Sequence, residues 1–271
     1  MMLSNSCLLP LLTITLLSPG SIAFHIGIWT VRWYGIFTAI GFLAVYLLAE
    51  KLIKEHKLNA NHFNDLIFFI LIFSVIFARL WFVFLSWNYF KYHLDEVPKI
   101  WYGGQSIHGG ILGAVLAAFL YLKIKKISFY SYMDVLAVCA PLGQAIGRWG
   151  NFFNNEAFGI PVMAGSSCPI RLLIPREFRP EKYLQYDYFH PTFLYESTLD
   201  VMLFIFLLGK YNQWKDKSGK TFWVYLLSYS VIRFFLEFLR VDSLYLFGNI
   251  ASAHVVSVII IVISLCFLFK R

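Results

Sequence analysis

Seven apolar runs, set apart by short basic or proline-rich breaks, organise this chain. The first extends from about Trp33 to Ala49 and closes on Lys51, Lys54 and Lys57. The second, about Phe63 to Trp87, carries Arg79. The third starts after Gly109-Gly110, reaches Leu122 and closes on Lys123, Lys125 and Lys126. The fourth spans about Met133 to Gly147, the fifth Phe193 to Leu208, the sixth Phe222 to Leu239 and the seventh Ile250 to Phe269. Runs of this length with few charges have the reach of a bilayer-crossing helix. The pattern predicts an all-α polytopic membrane protein with about seven transmembrane helices, a single integral-membrane domain over residues 1–271.

Two segments depart from the pattern. Residues 1–31 are apolar but interrupted by Pro10, Pro19 and Gly20, and the basic n-region of a signal peptide is missing because the first Lys or Arg is Arg32. Cys7 follows Ser4-Asn5-Ser6, so it lacks the apolar residue that precedes a lipoprotein cleavage cysteine. The segment reads as interfacial or re-entrant. Residues 154–191 contain Pro161, Pro169, Pro175 and Pro180 before Pro191. A connection this long points to a lid or a small external head between the fourth and fifth spans.

Charge placement orients the chain. Twelve Lys/Arg lie in the loops after the first, third and fifth spans and at the C-terminus, against eight on the other side in about three times the length. By the positive-inside rule the N-terminus and the head face outward and the C-terminus is cytoplasmic. Composition agrees: 59% of residues are apolar, 14% charged, and mean hydropathy is +0.66, where soluble domains carry about a quarter charged residues. The net charge of +8 says little about nucleic acid; the apolar runs make a lipid bilayer the expected partner, and no nucleic acid is expected. Cys7, Cys139, Cys168 and Cys266 are too scattered for a metal site or a disulfide framework.

The fourth run ends in Gly147-Arg148-Trp149-Gly150-Asn151-Phe152-Phe153-Asn154-Asn155-Glu156-Ala157-Phe158-Gly159. Unpaired polar groups are costly in hydrocarbon, and an ionisable residue there marks a functional candidate. Glycine lets the backbone leave the helix and approach a ligand, and the Arg148 fork suits a phosphate or carboxylate. The plainer alternative is a helix end whose polar groups cap it and pair with one another. In the sixth run Tyr229, Arg233, Glu237 and Arg240 are spaced by four, four and three, so they share one helical face. Arg233–Glu237 pair naturally, while Arg240 has only Asp242 nearby. Arg148 and Arg240, with Asn151 and His108, would make a site for an anionic headgroup. His108 sits between glycine pairs in Gly103-Gly104-Gln105-Ser106-Ile107-His108-Gly109-Gly110, placed as a base or hydrogen-bond donor, or as a structural histidine. Tyr34, in Arg32-Trp33-Tyr34-Gly35, is equally an interface anchor or a headgroup contact.

These motifs resemble the bacterial prolipoprotein diacylglyceryl transferases. The likeness rests on Gly147-Arg148-x-Gly150-Asn151-Phe152-x-Asn154-x-Glu156-x-x-Gly159, Arg32-Trp33-Tyr34-Gly35 and Ser106-x-His108-Gly109-Gly110. It extends to His190-Pro191-x-x-x-Tyr195-Glu196 and Glu237-Phe238-x-Arg240. The chain departs from the family at Ala253-His254, in the N-terminal segment and in the long loop. The resemblance implies an inner-membrane, multi-pass enzyme with its active site toward the outer leaflet. It would move the sn-1,2-diacylglyceryl group of phosphatidylglycerol to the lipobox cysteine of preprolipoproteins, releasing glycerol-1-phosphate without cofactor or metal. It implies His108, Arg148 and Arg240 as catalytic residues. Tyr34, Asn151, Glu156, Gly159, Tyr229, Arg233 and Glu237 would bind substrate or orient the arginines. An anion or lipid transporter is the competing class, but the internal repeats common to transporters are missing. A lipid phosphatase would want a nucleophile or a carboxylate cluster that the sequence does not offer.

Overall fold

The computed structural model describes residues 13–163, 168–247 and 250–270. Cys7, with the first part of the N-terminal segment, lies outside the described residues. In chain order the elements are β1 (Ile14–Leu17), β2 (Ile22–Ile26), β3 (Trp29–Arg32), α1 (Trp33–Glu55), α2 (Ala60–Leu85) and α3 (Trp87–Phe90). There follow α4 (Ile107–Ile124), α5 (Phe129–Asn154), β4 (Ile170–Leu173), β5 (Tyr188–Phe189), α6 (Thr192–Trp214) and α7 (Lys220–Glu237). The chain ends with β6 (Tyr245–Phe247), β7 (Ile250–Ala251) and α8 (Ser252–Phe269).

Every apolar run becomes a helix. Five of them, α1, α2, α4, α6 and α8, are long and apolar enough to cross a membrane; this is a mostly helical, polytopic membrane protein. The expected all-α class is incomplete, because β1, β4 and β5 form a three-stranded sheet and β2–β3 and β6–β7 form hairpins. The N-terminal segment supplies three of these strands where an interfacial or re-entrant run was expected. A second expectation also fails: the backbone does not leave the helix at Gly147, and α5 continues to Asn154.

The chain divides into two compact units, one formed by residues up to Leu48 with Leu136 onward, the other by Ala49–Val135. In the first, small residues bring helices together. A Cβ on Gly41 would stand 3.1 Å from the Gly143 carbonyl oxygen, and one on Gly150 would stand 2.8 Å from Cδ2 of Tyr34. Such close backbone approach is how helices associate where lipid removes the hydrophobic drive. The end of α5 is also fixed from outside the helix: Trp33 stacks on Phe153 at 4.8 Å, and the Ser18 hydroxyl donates to the Phe153 carbonyl.

The 154–191 connection has a small core of its own. β1 runs parallel to β4, from Ile14 opposite Ile170 to Leu17 opposite Leu173, and β5 pairs antiparallel to β4. Leu172, Ile174 and Phe189 from this sheet region bury against Phe158, against Phe152 of α5 and against Phe193 of α6. The sheet is thereby tied to the two helix ends that flank the polar stretch.

In the second unit α2 and α4 pack closely through Gly109 and Gly113, where an added Cβ would fall 2.3 Å from the carbonyl oxygens of Phe77 and Phe73. Arg79, buried in α2, donates to the carbonyls of Glu96, Val97, Gly103 and Gly104 at 2.6–2.9 Å. One guanidinium thus closes the α2–α4 connection, as satisfaction of buried carbonyls demands.

Candidate functional site

Because α5 remains helical as far as Asn154, Arg148 and Asn151 lie three apart on one face, and Arg148 Nη1 donates to Asn151 Oδ1 at 3.3 Å. Glu156 accepts from Asn151 Nδ2 at 2.8 Å and from Asn154 Nδ2 at 3.2 Å. The chain then turns sharply, with Asn155 and Ala157 at φ +54° and +56°. Alanine seldom adopts that conformation; here its N–H is taken by Asp242 Oδ2 and its carbonyl by the Thr192 hydroxyl.

The centre of the cluster is Glu196 of α6, whose side chain is 3% exposed. Its Oε1 pairs with Arg148 Nη2 at 2.8 Å and accepts from the Tyr229 hydroxyl at 3.2 Å. Its Oε2 pairs with Arg233 Nη1 at 3.1 Å, and Arg233 Nη2 continues to Glu237 Oε2 at 2.7 Å. Two arginines and two glutamates therefore form one continuous chain across α5, α6 and α7. A buried carboxylate is stable only with such partners. Glu196 was quoted in a motif by the sequence reading but given no role, since it sits 48 residues from Arg148 and only the fold joins them. The one available signal was an acidic residue a turn inside an apolar span. Arg148 keeps 21% of its side chain exposed, and its Nε makes no hydrogen bond among the described residues. Of the two arginines it is the more exposed, 21% against 14% for Arg233.

Arg240 is placed by a different device. Its backbone bridges Gly159, and the Ile160 N–H donates to the Leu239 carbonyl at 2.7 Å. Its guanidinium pairs two-pronged with Asp242, Nε to Oδ1 at 3.0 Å and Nη2 to Oδ2 at 3.1 Å. Among the described residues it shares no ion pair with the Arg148 chain. Gly159 must stay small: a Cβ would lie 2.8 Å from His190 Cβ and 2.9 Å from Thr192 Cγ2. So the glycine of the predicted site holds the Arg240 segment close to the start of α6. Glu237 contacts an arginine directly, as expected, whereas Glu156 reaches Arg148 only through Asn151.

Tyr34 packs over Gly150, against the helix that carries Arg148. His190 places Nδ1 3.1 Å from the Tyr195 hydroxyl, with Cys168 Sγ 3.8 Å away; burial pushes its pKa below the ordinary histidine value. His108 stands in the second unit, exposed in the first turn of α4, and makes no hydrogen bond or ion pair among the described residues.

A family model described as prolipoprotein diacylglyceryl transferase matches residues 21–270. Three relatives, each a phosphatidylglycerol–prolipoprotein diacylglyceryl transferase, show the same likeness. One from Thermotoga maritima is 41% identical over 89% of this chain and 81% of its own. One from Acaryochloris marina is 42% identical over 93% and 90%, and one from Staphylococcus epidermidis 42% over 96% and 92%.

Proposed function

Because the chain belongs to the prolipoprotein diacylglyceryl transferase family, we propose that the arginine–glutamate chain around Arg148 holds and activates the phosphate of phosphatidylglycerol. The enzyme transfers the diacylglyceryl group from that lipid to a prolipoprotein, the first step of lipoprotein maturation. The acceptor is the lipobox cysteine thiol. Its sulfur attacks the sn-3 carbon of the diacylglyceryl group, the C–O bond to phosphate breaks, and a thioether and glycerol-1-phosphate leave.

The leaving phosphate gains negative charge as the C–O bond opens. Donors fixed where that charge develops lower the barrier most, and removing one typically costs ~10²–10³ in rate. Arg148 supplies such a donor, with Glu196, Asn151 and Tyr229 holding its plane. Arg240, braced by Asp242, is the second cation, and Tyr34 helps seat the headgroup. The thiol, with a pKa about 8.5, is mostly protonated at neutral pH, and His108 is the candidate base for its proton. All steps use protein side chains and proceed without metal or cofactor.

The whole chain works as one inner-membrane domain. In this reading α5 and α7 complete seven spans, the N-terminus and the 154–191 head face outward, and the site opens toward the outer leaflet. The observation that carries the proposal is the shared carboxylate of Glu196, which fixes two arginines in one place. Purified protein given a lipobox peptide, with phosphatidylglycerol or phosphatidylethanolamine and a chelator, tests it. Transfer is expected only with phosphatidylglycerol and is expected to persist in the chelator. Equal use of both lipids, or loss of activity on chelation, contradicts it.

A further inference from the structure

Below the Arg148 chain lies a second polar layer that the transfer chemistry leaves unused. Gln144 precedes Arg148 by four residues on α5, Asp200 follows Glu196 by four on α6, and Tyr225 precedes Tyr229 by four on α7. On a helix four residues are one turn, ~5–6 Å of rise. Each helix thus carries one further polar side chain about a turn away from its site residue. The three helices meet at the Arg148 chain one turn above, and the Tyr225 ring stacks on Tyr229 at 6.1 Å. Asp200 is 0% exposed and lies one helical turn from Glu196 on α6.

The layer is short of donors. Both carboxylate oxygens of Asp200 and Oε1 of Gln144 are buried without a hydrogen-bond partner among the described residues. Buried acceptors are nearly always paired in native proteins, and a carboxylate beside another carboxylate is the costliest kind to leave unpaired. Such a group makes sense as a receptor for hydroxyl donors brought by a ligand. Phosphatidylglycerol carries two such hydroxyls on its terminal glycerol, a short three-carbon reach beyond its phosphate.

We propose that Asp200 and Gln144 form a polyol subsite that binds the headgroup glycerol hydroxyls and so selects phosphatidylglycerol among phospholipids. This rests on the reading that the phosphate lies on Arg148. The glycerol then extends one turn deeper, one hydroxyl donating to the Asp200 carboxylate and the other to Gln144 Oε1. A site built to pair a substrate hydroxyl rejects an analogue lacking it far more strongly than an apolar pocket rejects a missing methylene.

The test compares phosphatidylglycerol with phosphatidylpropanol, which keeps the phosphodiester and its charge but has no headgroup hydroxyls. Wild-type kcat/KM is expected to favour phosphatidylglycerol by ~10² or more. In Asp200→Ala the phosphatidylglycerol rate should fall toward that of phosphatidylpropanol, while the phosphatidylpropanol rate stays within about threefold of wild type, as expected when only a hydroxyl contact is lost. Asp200→Asn and Gln144→Ala, milder changes in case the first variant does not accumulate, should each narrow the preference part of the way. Equal use of both lipids by the wild type overturns the subsite but leaves the transfer reading standing. An equal fall for both lipids in the variants makes Asp200 a structural residue. Failure of the wild type to use phosphatidylglycerol at all removes the transfer reading itself, and the subsite with it.

Discussion

Arg148 and Glu196 show how much one pair of side chains decides. Arg148→Lys keeps the charge but loses the planar fork that meets Glu196, Tyr229 and Asn151 together. Transfer should fall by ~10²–10³ while the protein still inserts and accumulates. Glu196→Gln should impair both turnover and folding, because it strips two arginines of a buried counter-charge; breaking such a pair typically costs ~3–5 kcal/mol. Thermal unfolding in detergent beside a transfer assay separates the two effects. A Glu196→Gln protein of normal stability and rate would remove Glu196 from the centre of the account. Arg79 is the contrast. Its four carbonyl bonds close a connection, and lysine offers only three donors without the fork. Arg79→Lys should therefore lower the amount of folded protein and leave turnover per folded molecule near normal. His108→Gln asks a different question. As the base, its loss should remove most activity near neutral pH, with partial recovery at higher pH where the thiol ionises unaided. An unchanged pH profile would send the thiol proton elsewhere.

Among the elements, α4 is pressed against α2 through Gly109 and Gly113. Gly113→Val would drive a branched side chain into the Phe73 carbonyl, and overpacking of this kind costs ~1–3 kcal/mol. A lower midpoint in thermal unfolding is expected, and an unchanged midpoint would mean that the two helices can part without loss. The helices themselves were plain in the sequence, since each apolar run of bilayer length became one. What the sequence concealed had physical causes. Gly147 and Gly150 read as breakers, yet a helix tolerates glycine when a neighbour needs the space, as Tyr34 does over Gly150. The strands β1 and β4 are far apart in sequence and pair by parallel register, which no local periodicity announces. The Arg233–Glu237 pair was visible because helical spacing determines it. The Arg148–Glu196 pair was not, because only the packing of α5 on α6 creates it.

For the molecule as a whole, the proposed orientation rests on the lysine distribution, and with it the leaflet that the site would face. A reporter fused after Lys220 should read cytoplasmic and one near Pro180 external; the reverse at both positions would place the site on the wrong face. The most direct measurement of the central claim follows both products from the same purified protein. With phosphatidylglycerol and a lipobox peptide, thioether and glycerol-1-phosphate should appear one for one, and both should slow together by ~10²–10³ in Arg148→Lys. Thioether without glycerol-1-phosphate, or an Arg148→Lys enzyme as fast as wild type, would contradict the claim that Arg148 bears the charge of the departing phosphate.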